Sequence, residues 1–204
     1  MARYVCASIV VAPATQITRD DNDTRLEWVF GYGSLMWNPG FPHAERRAAT
    51  LPGFHRAFCI YSQHYRGTPE RPGLVLGLDR GGECRGVAFR IAPSDWDEVI
   101  AYLDERELIG YAYQPSRLTV TFDDGATAMA HTYTADRAHP HFAGDLTVAD
   151  SAKLIIRAEG IAGTNRDYAV NVIQELESRA YLDVHLHELL ERVRQNASFG
   201  PEPS

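Results

Sequence analysis

Trp28-Val29-Phe30-Gly31-Tyr32-Gly33-Ser34-Leu35-Met36-Trp37 is the point at which this chain takes on a fold. The residues before it, Thr15 to Glu27, are polar and without period; this predicts a peripheral arm over residues 1–27 and a folded domain that begins at Trp28. Trp28 to Tyr32 reads as a strand. Five further segments share its character: Phe54 to Ser62, Leu74 to Leu78, Arg85 to Ile91, Leu118 to Phe122 and Ala128 to Thr134. Each is short, β-branched or aromatic, and bounded by Gly, Pro or Asp. Strands of this length and spacing predict a closed or strongly curled sheet.

One helix interrupts the strands. It is expected from Ser94, as N-cap, to Leu108, with Asp97 at the capping-box position and Gly110 as its stop. Beyond Pro140 the pattern becomes helical, with Thr147 and Thr164 as N-caps, each followed three residues later by an Asp. Leu154, Ile155 and Ala158, then Tyr168, Val172 and Leu176, recur at helical spacing and predict helices packed across the sheet. A last helix is expected from Val184 to Asn196, ahead of a tail over residues 197–204. Strands first and helices after them give an α+β class.

The 204 residues, 45% of them hydrophobic, suffice for one substantial core and are few for two, so a single domain over residues 28–196 is expected. Acidic side chains outnumber basic ones 27 to 20, for a net charge of -7. That balance repels nucleic-acid backbones, and no basic cluster offsets it. Lys153 is the only lysine; the remaining cations are arginines, whose planar fork suits carboxylates. Cys6, Cys59 and Cys84 are odd in number and too widely spaced for a zinc pair, which fits a reducing compartment. The apolar run Tyr4 to Ala12 ends near Ala12-Pro13-Ala14, but a lone Arg3 and the polar Ser8 argue against an export signal. No stretch reaches the ~20 apolar residues of a membrane span. A soluble cytoplasmic protein without a membrane partner is expected, and no oligomeric state is assigned.

Two features carry chemistry. The turn Gly31 to Met36 places two glycines around a tyrosine, where backbone N–H groups can be exposed to a ligand carboxylate or oxyanion. Its other reading is an ordinary glycine-rich strand end. The second feature is Tyr102-Leu103-Asp104-Glu105-Arg106-Glu107 at the end of the mid-chain helix. Trp96, Val99, Ile100 and Leu103 form that helix's apolar stripe, and Glu107 lies about 40° from Leu103 around the axis, against roughly 100° and 200° for Asp104 and Glu105. Of the three acids only Glu107 is expected to face inward, where burial and the helix C-terminus raise its pKa. Fraying before residue 107 would instead leave a solvated acid, paired with an arginine. His139 with His141, and His185 with His187, stand two apart without a third ligand, so no metal is expected. Cys59 and Cys84 are expected to be small core hydrophobes.

These segments together resemble the ChaC family of glutathione-specific γ-glutamylcyclotransferases. The matching pieces run Val29-Phe30-Gly31-Tyr32-Gly33-Ser34-Leu35-Met36-Trp37-Asn38-Pro39-Gly40-Phe41, Arg66-Gly67-Thr68-Pro69-Glu70-Arg71-Pro72-Gly73 and Gly86-Val87-Ala88-Phe89-Arg90. They continue through Tyr102 to Glu107 and Gly110-Tyr111 to Asn165-Arg166-Asp167-Tyr168. The likeness spans about Trp28 to Leu190 and implies a small β-barrel with flanking helices. Many members carry a second glycine where this chain has Ile109 before Gly110-Tyr111, a difference that bears on loop shape.

The resemblance implies that glutathione is the substrate, that its γ-glutamyl α-amine attacks its own side-chain carbonyl, and that 5-oxoproline and Cys-Gly leave without metal or cofactor. It carries the catalytic acid-base role onto Glu107 and the substrate loop onto Gly31, Tyr32, Gly33, Ser34, Leu35 and Met36. Arg71, in its Gly- and Pro-rich loop, is a partner for the far carboxylate or else a solvated arginine. Tyr111 and Tyr168 line the pocket or else belong to the core. Two other functions compete: cyclotransfer on other γ-glutamyl amines or dipeptides, and a non-catalytic regulatory domain linked to cation transport.

Overall fold

The segments around Phe54, Leu74 and Arg85 turn out to belong to one long hairpin. In the computed structural model, which describes residues 27–108, 112–144, 146–181 and 183–198, β2 (Glu45–Ser62) pairs antiparallel with β3 (Gly73–Arg90) along nearly its whole length. Leu74 to Leu78 and Arg85 to Ile91 are therefore the two ends of one strand, and Phe54 to Ser62 is half of another. The intervening Arg80 to Glu83 is exposed and polar, so it shows no core-facing period; pairing with Pro52 and Phe54 makes it a strand. The register shifts by one between Pro52 and Phe54, where Gly53, at φ 81, stands opposite Gly81 and Gly82, at φ 106 and 64, in a bulge.

Around this hairpin the sheet closes. β1 (Trp28–Gly31) lies beside β3, β4 (Tyr113–Phe122) beside β2, and β5 (Thr127–Ala135) beside β4. Parallel pairing of Trp28 and Val29 with Ala130 and His131 completes the barrel, in the order β1-β3-β2-β4-β5. Thr132 adds a side-chain bond across the seam, its hydroxyl donating to the Phe30 carbonyl at 2.9 Å. Closure removes free sheet edges. By the pairing registers, the C-terminal ends of β1 and β5 and the N-terminal ends of β3 and β4 share one end of the barrel.

Helix α1 (Trp96–Leu108) follows β3. Ser94 does not cap it: its hydroxyl donates to the Asp95 carboxylate, and the first helical bond runs from Val99 N–H to the Asp95 carbonyl. Val99 and Leu103 are its fully buried residues. Thr147 and Thr164 do cap α2 (Val148–Arg157) and α3 (Asn165–Ser178), accepting from the N–H groups of Asp150 and Asp167 at 3.1 Å. Ala158, expected on the face of α2, is buried but extended just beyond its end. Between these helices a small hairpin pairs β6 (Glu159–Gly160) with β7 (Gly163–Thr164), and α4 (Val184–Ser198) runs past the expected Asn196.

The larger of two hydrophobic clusters runs from the barrel interior, through Phe30, Leu78 and Phe89, into Leu103 of α1, Ile155 of α2, Ile173 of α3 and Leu190 of α4. The core is thus one body with the barrel, as expected for one domain. Glu27 at the edge of the predicted arm is tied to it: its carboxylate accepts from Arg90 and its carbonyl from Ile91 N–H. The remainder of the arm, with Cys6, lies outside the described residues, as do Ile109-Gly110-Tyr111 and Phe199 to Ser204. Among the described residues no helix is long and apolar enough to cross a membrane.

Candidate active site

The turn after β1 doubles back so tightly that a Cβ on Gly31 would meet the Leu35 Cβ at 2.9 Å. Ser34–Met36 then form one 3₁₀ turn, in which the Met36 N–H donates to the Gly33 carbonyl at 2.9 Å. The N–H groups of Gly33, Ser34 and Leu35, ahead of that bond, have no acceptor among the described residues. Beneath the turn lies the buried Arg56, whose Nε donates to the Tyr32 carbonyl at 2.5 Å and whose Nη2 reaches the Met36 sulfur at 3.6 Å. The backbone is therefore held from below, with its donors left available.

Above the same end of the barrel stands the last turn of α1. Its Glu107 side chain is only 19% exposed, and burial pushes the carboxyl above the usual range while Arg106 pulls it back, the latter from an Nε–Oε1 distance of 3.5 Å. The helix does not fray before residue 107 and the side chain is withdrawn from solvent, as the inward reading expects; of the other reading only the arginine partner is present. Glu105 is exposed at the rim, as its helical phase predicts. Asp104 differs from expectation, being half-buried and accepting from the Tyr133 hydroxyl at 2.7 Å. The barrel wall reaches far enough around α1 to give a second acid a partner.

Arg106 also lashes the helix end to the turn. Its Nη2 donates to Ser34 Oγ at 2.8 Å, and its Nη1 to the Asn38 carbonyl at 3.2 Å and the Tyr102 hydroxyl at 3.0 Å. Between turn and helix opens a cavity of about 530 Å³, a size common for small-molecule sites. Tyr32, Gly33, Ser34, Leu35, Glu107 and Tyr168 all line it. Gly31 and Met36 do not; they shape and anchor the turn.

Arg71 does not line the cavity either. It is exposed in a tight turn closed by its own carbonyl and N–H to Thr68, and among the described residues no partner aims its side chain inward. The cavity's arginines are Arg66 and Arg106. Tyr111 lies outside the described residues. Tyr113 and Tyr133, which sequence reading did not single out, take lining positions at the ends of β4 and β5. Ala128 to Thr134 was read as a strand around Tyr133, whereas Tyr113 lies ahead of the segment read as Leu118 to Phe122, and neither pattern shows which end of the barrel opens.

Of the five tyrosines that line the cavity, Tyr32, Tyr113, Tyr133 and Tyr168 lie toward Glu107 and the barrel wall. The Tyr113 hydroxyl donates to the Leu76 carbonyl at 2.5 Å and the Leu76 N–H donates to the Tyr168 oxygen at 3.4 Å. Burial, reinforced by the nearby Glu107, pushes the Tyr32 phenol well above its usual range; burial does the same at Tyr113, and at Tyr133 burial and the bond to Asp104 act together. Tyr32, Tyr113 and Tyr133 therefore stay protonated at neutral pH. The Tyr32 hydroxyl has no protein acceptor among the described residues, so it is a donor open to a ligand.

The remaining side chains considered from sequence lie elsewhere. Cys59 and Cys84 are buried free thiols, pushed up by burial to about 12 and about 11. His139 Nδ1 accepts from the His141 N–H at 3.0 Å, and among the described residues no group of three His, Cys, Asp or Glu is placed to hold a metal ion.

Comparison with known proteins adds to this geometry. A family model described as ChaC-like protein matches residues 27–196. The glutathione-specific gamma-glutamylcyclotransferase of Escherichia coli K12 is 39% identical over 168 residues, covering 82% of this chain and 73% of that protein. Gamma-glutamylcyclotransferase 2-3 of Arabidopsis thaliana is 33% identical, covering 86% of this chain and 92% of its own. Among solved structures, the gamma-glutamyl cyclotransferase specific to glutathione from yeast superposes with a TM-score of 0.73 at 25% identity, over 83% of this chain and 98% of that one.

Proposed function

The chain belongs to the ChaC-like family, and on that premise we propose that it cyclises the γ-glutamyl end of glutathione, releasing 5-oxoproline and Cys-Gly with Glu107 as acid-base catalyst. The observation that carries this reading is a withdrawn carboxylate, raised in pKa by burial, set across a small cavity from a turn whose N–H groups point to no protein acceptor.

The reaction suits such a site. Nucleophile and electrophile belong to one molecule, so the protein has to hold a curled conformer and move protons. The α-ammonium loses a proton to Glu107; the free amine attacks the γ-carbonyl carbon and closes the five-membered ring. The ring nitrogen gives up a second proton as the amide C–N bond breaks, and both protons end on the departing nitrogen of Cys-Gly, the first delivered by Glu107, which is left ionised again. An ordinary glutamate near pKa 4.3 is a weak base toward an amine near 8, and burial narrows that gap. The N–H groups of Gly33, Ser34 and Leu35 supply donors for the glutamyl carboxylate or for the oxyanion that develops on the γ-carbonyl. Tyr32 and Tyr168 belong to the substrate walls in this reading. No step asks for a metal or cofactor. A cytoplasmic setting goes with it, supported by the free thiols of Cys59 and Cys84.

Incubation with glutathione should yield 5-oxoproline and Cys-Gly in equal amounts, measured by chromatography, and Glu107→Gln should lower turnover by roughly 10²–10⁴-fold. Failure to form either product would defeat the reading. Equal turnover of γ-glutamyl-alanine would move it to the broader class of γ-glutamyl dipeptides.

A further inference from the structure

Of the two arginines in the cavity, Arg106 is occupied by Ser34, Asn38, Tyr102 and Glu107. Arg66 is not. Its one side-chain bond goes from Nη1 to the Ala162 carbonyl, and among the described residues no carboxylate stands within ion-pair distance of it and neither Nε nor Nη2 has a protein acceptor. We propose that Arg66 receives the carboxylate at the glycyl end of the substrate, and so selects γ-glutamyl peptides with a distal carboxylate over γ-glutamyl amines that lack one. The proposal rests on the reading of the site as a glutathione cyclotransferase.

The surrounding structure prepares Arg66 for this. The β6–β7 hairpin clamps the loop that carries it: Ile161 N–H donates to the His64 carbonyl and Ala162 N–H to the Tyr65 carbonyl, both at 3.0 Å. Gly160 allows the approach, since a Cβ there would meet Tyr65 backbone carbon at 2.5 Å. The Arg66 N–H is fixed to Ser62 Oγ at 3.1 Å, and the guanidinium lies 5.1 Å from the centre of the Tyr168 ring. An arginine stacked on an aromatic face and bonded at one nitrogen has lost much of its rotamer freedom before a ligand arrives. Its remaining N–H groups present a fork suited to a carboxylate.

Charge supports the same assignment. Glutathione carries a carboxylate at each end, and the one at the glycyl end has no ammonium beside it, while this chain carries a net charge of -7 and the cavity includes Glu105 and Glu107. The glutamyl end is served by the turn at Gly33 to Leu35 beside Arg106. The glycyl carboxylate therefore needs a cation from another element, and Arg66, on the β2–β3 loop against α3, is the cavity residue that supplies one.

The test compares glutathione with its glycyl monoethyl ester, which is neutral at that end, in wild type, Arg66→Gln and Arg66→Lys. Wild type should prefer the acid to the ester by roughly 10–100-fold in kcat/KM, mainly through KM. Arg66→Gln should lose most of that preference, treating acid and ester alike, and Arg66→Lys should retain part of it by charge alone. Because the readout is a ratio within each variant, general damage to the hairpin cancels. A wild-type preference that survives in Arg66→Gln, or a wild type indifferent to esterification, overturns the assignment. Absence of glutathione turnover in wild type overturns the underlying reading as well.

Discussion

Glu107 stands under two opposed influences, burial that favours its neutral form and the Arg106 guanidinium that favours its anion. The sign of their balance is open to a direct test. In the proposed reaction the free enzyme needs Glu107 ionised, so its pKa sets the acid limb of kcat/KM. Arg106→Met removes the influence that lowers the pKa, and the acid limb should move to higher pH, in addition to a fall in rate from the lost bonds to Ser34 and Asn38. A pH profile over about 4–9 checks this; a limb at its wild-type position with reduced amplitude would mean that Arg106 acts only on the turn. At this scale the sequence was partly legible. Helical phase distinguished Glu107 from Glu105 because α1 is regular up to its last turn. It could not distinguish Arg66 from Arg71, since both sit in one loop without period. The clamp that selects Arg66 is formed by residues almost a hundred positions later, at Ile161 and Ala162.

The elements were easier to read where one face meets the core. Thr147 and Thr164 announced their helices through capping, and β1, β4 and β5 were found in outline from short apolar runs. The outer reach of the β2–β3 hairpin escaped because Arg80 to Glu83 face solvent, and exposed pairing leaves no hydrophobic period. One element contact explains how α3 is set relative to the cavity it helps to line. Asn165, fully buried at the start of α3, accepts from the Leu74 N–H and donates to the Leu74 carbonyl, both at 2.7 Å. It acts as a side-chain rung joining the helix to β3, two residues before the Leu76 peptide that Tyr113 and Tyr168 hold. Asn165→Ala leaves two buried backbone groups without partners and should cost about 2–6 kcal/mol in urea unfolding. Asn165→Asp keeps the acceptor and loses the donor, so the Leu74 carbonyl should account for the remaining loss. A cost below about 1 kcal/mol for the alanine variant would show that water replaces the rung.

Across the whole molecule, closure depends on pairing residues about a hundred positions apart, Trp28 with Ala130 and Val29 with His131. No local pattern encodes that seam; short regular strands indicated a closed sheet, and only the three-dimensional registers show which two strands meet. The same long-range economy makes the barrel and its helices one hydrophobic body. Leu190 of α4 is fully buried in the cluster that also contains Phe30 of β1 and Leu103 of α1. If that cluster is the cooperative unit, removing apolar atoms at one end must lower the stability of the whole rather than loosen α4 alone. Leu190→Ala should therefore cost about 2–5 kcal/mol, with tryptophan fluorescence, which reports Trp28, Trp37 and Trp96, and far-ultraviolet circular dichroism shifting to the same lower midpoint. All three tryptophans precede α2 in the chain, far in sequence from the mutation. A helical transition that moves ahead of an unchanged fluorescence midpoint would divide the molecule into a barrel and a separable helical layer. It would also predict that turnover at the mouth of the barrel outlasts the loss of α4, whereas a single body requires activity to disappear with the common transition.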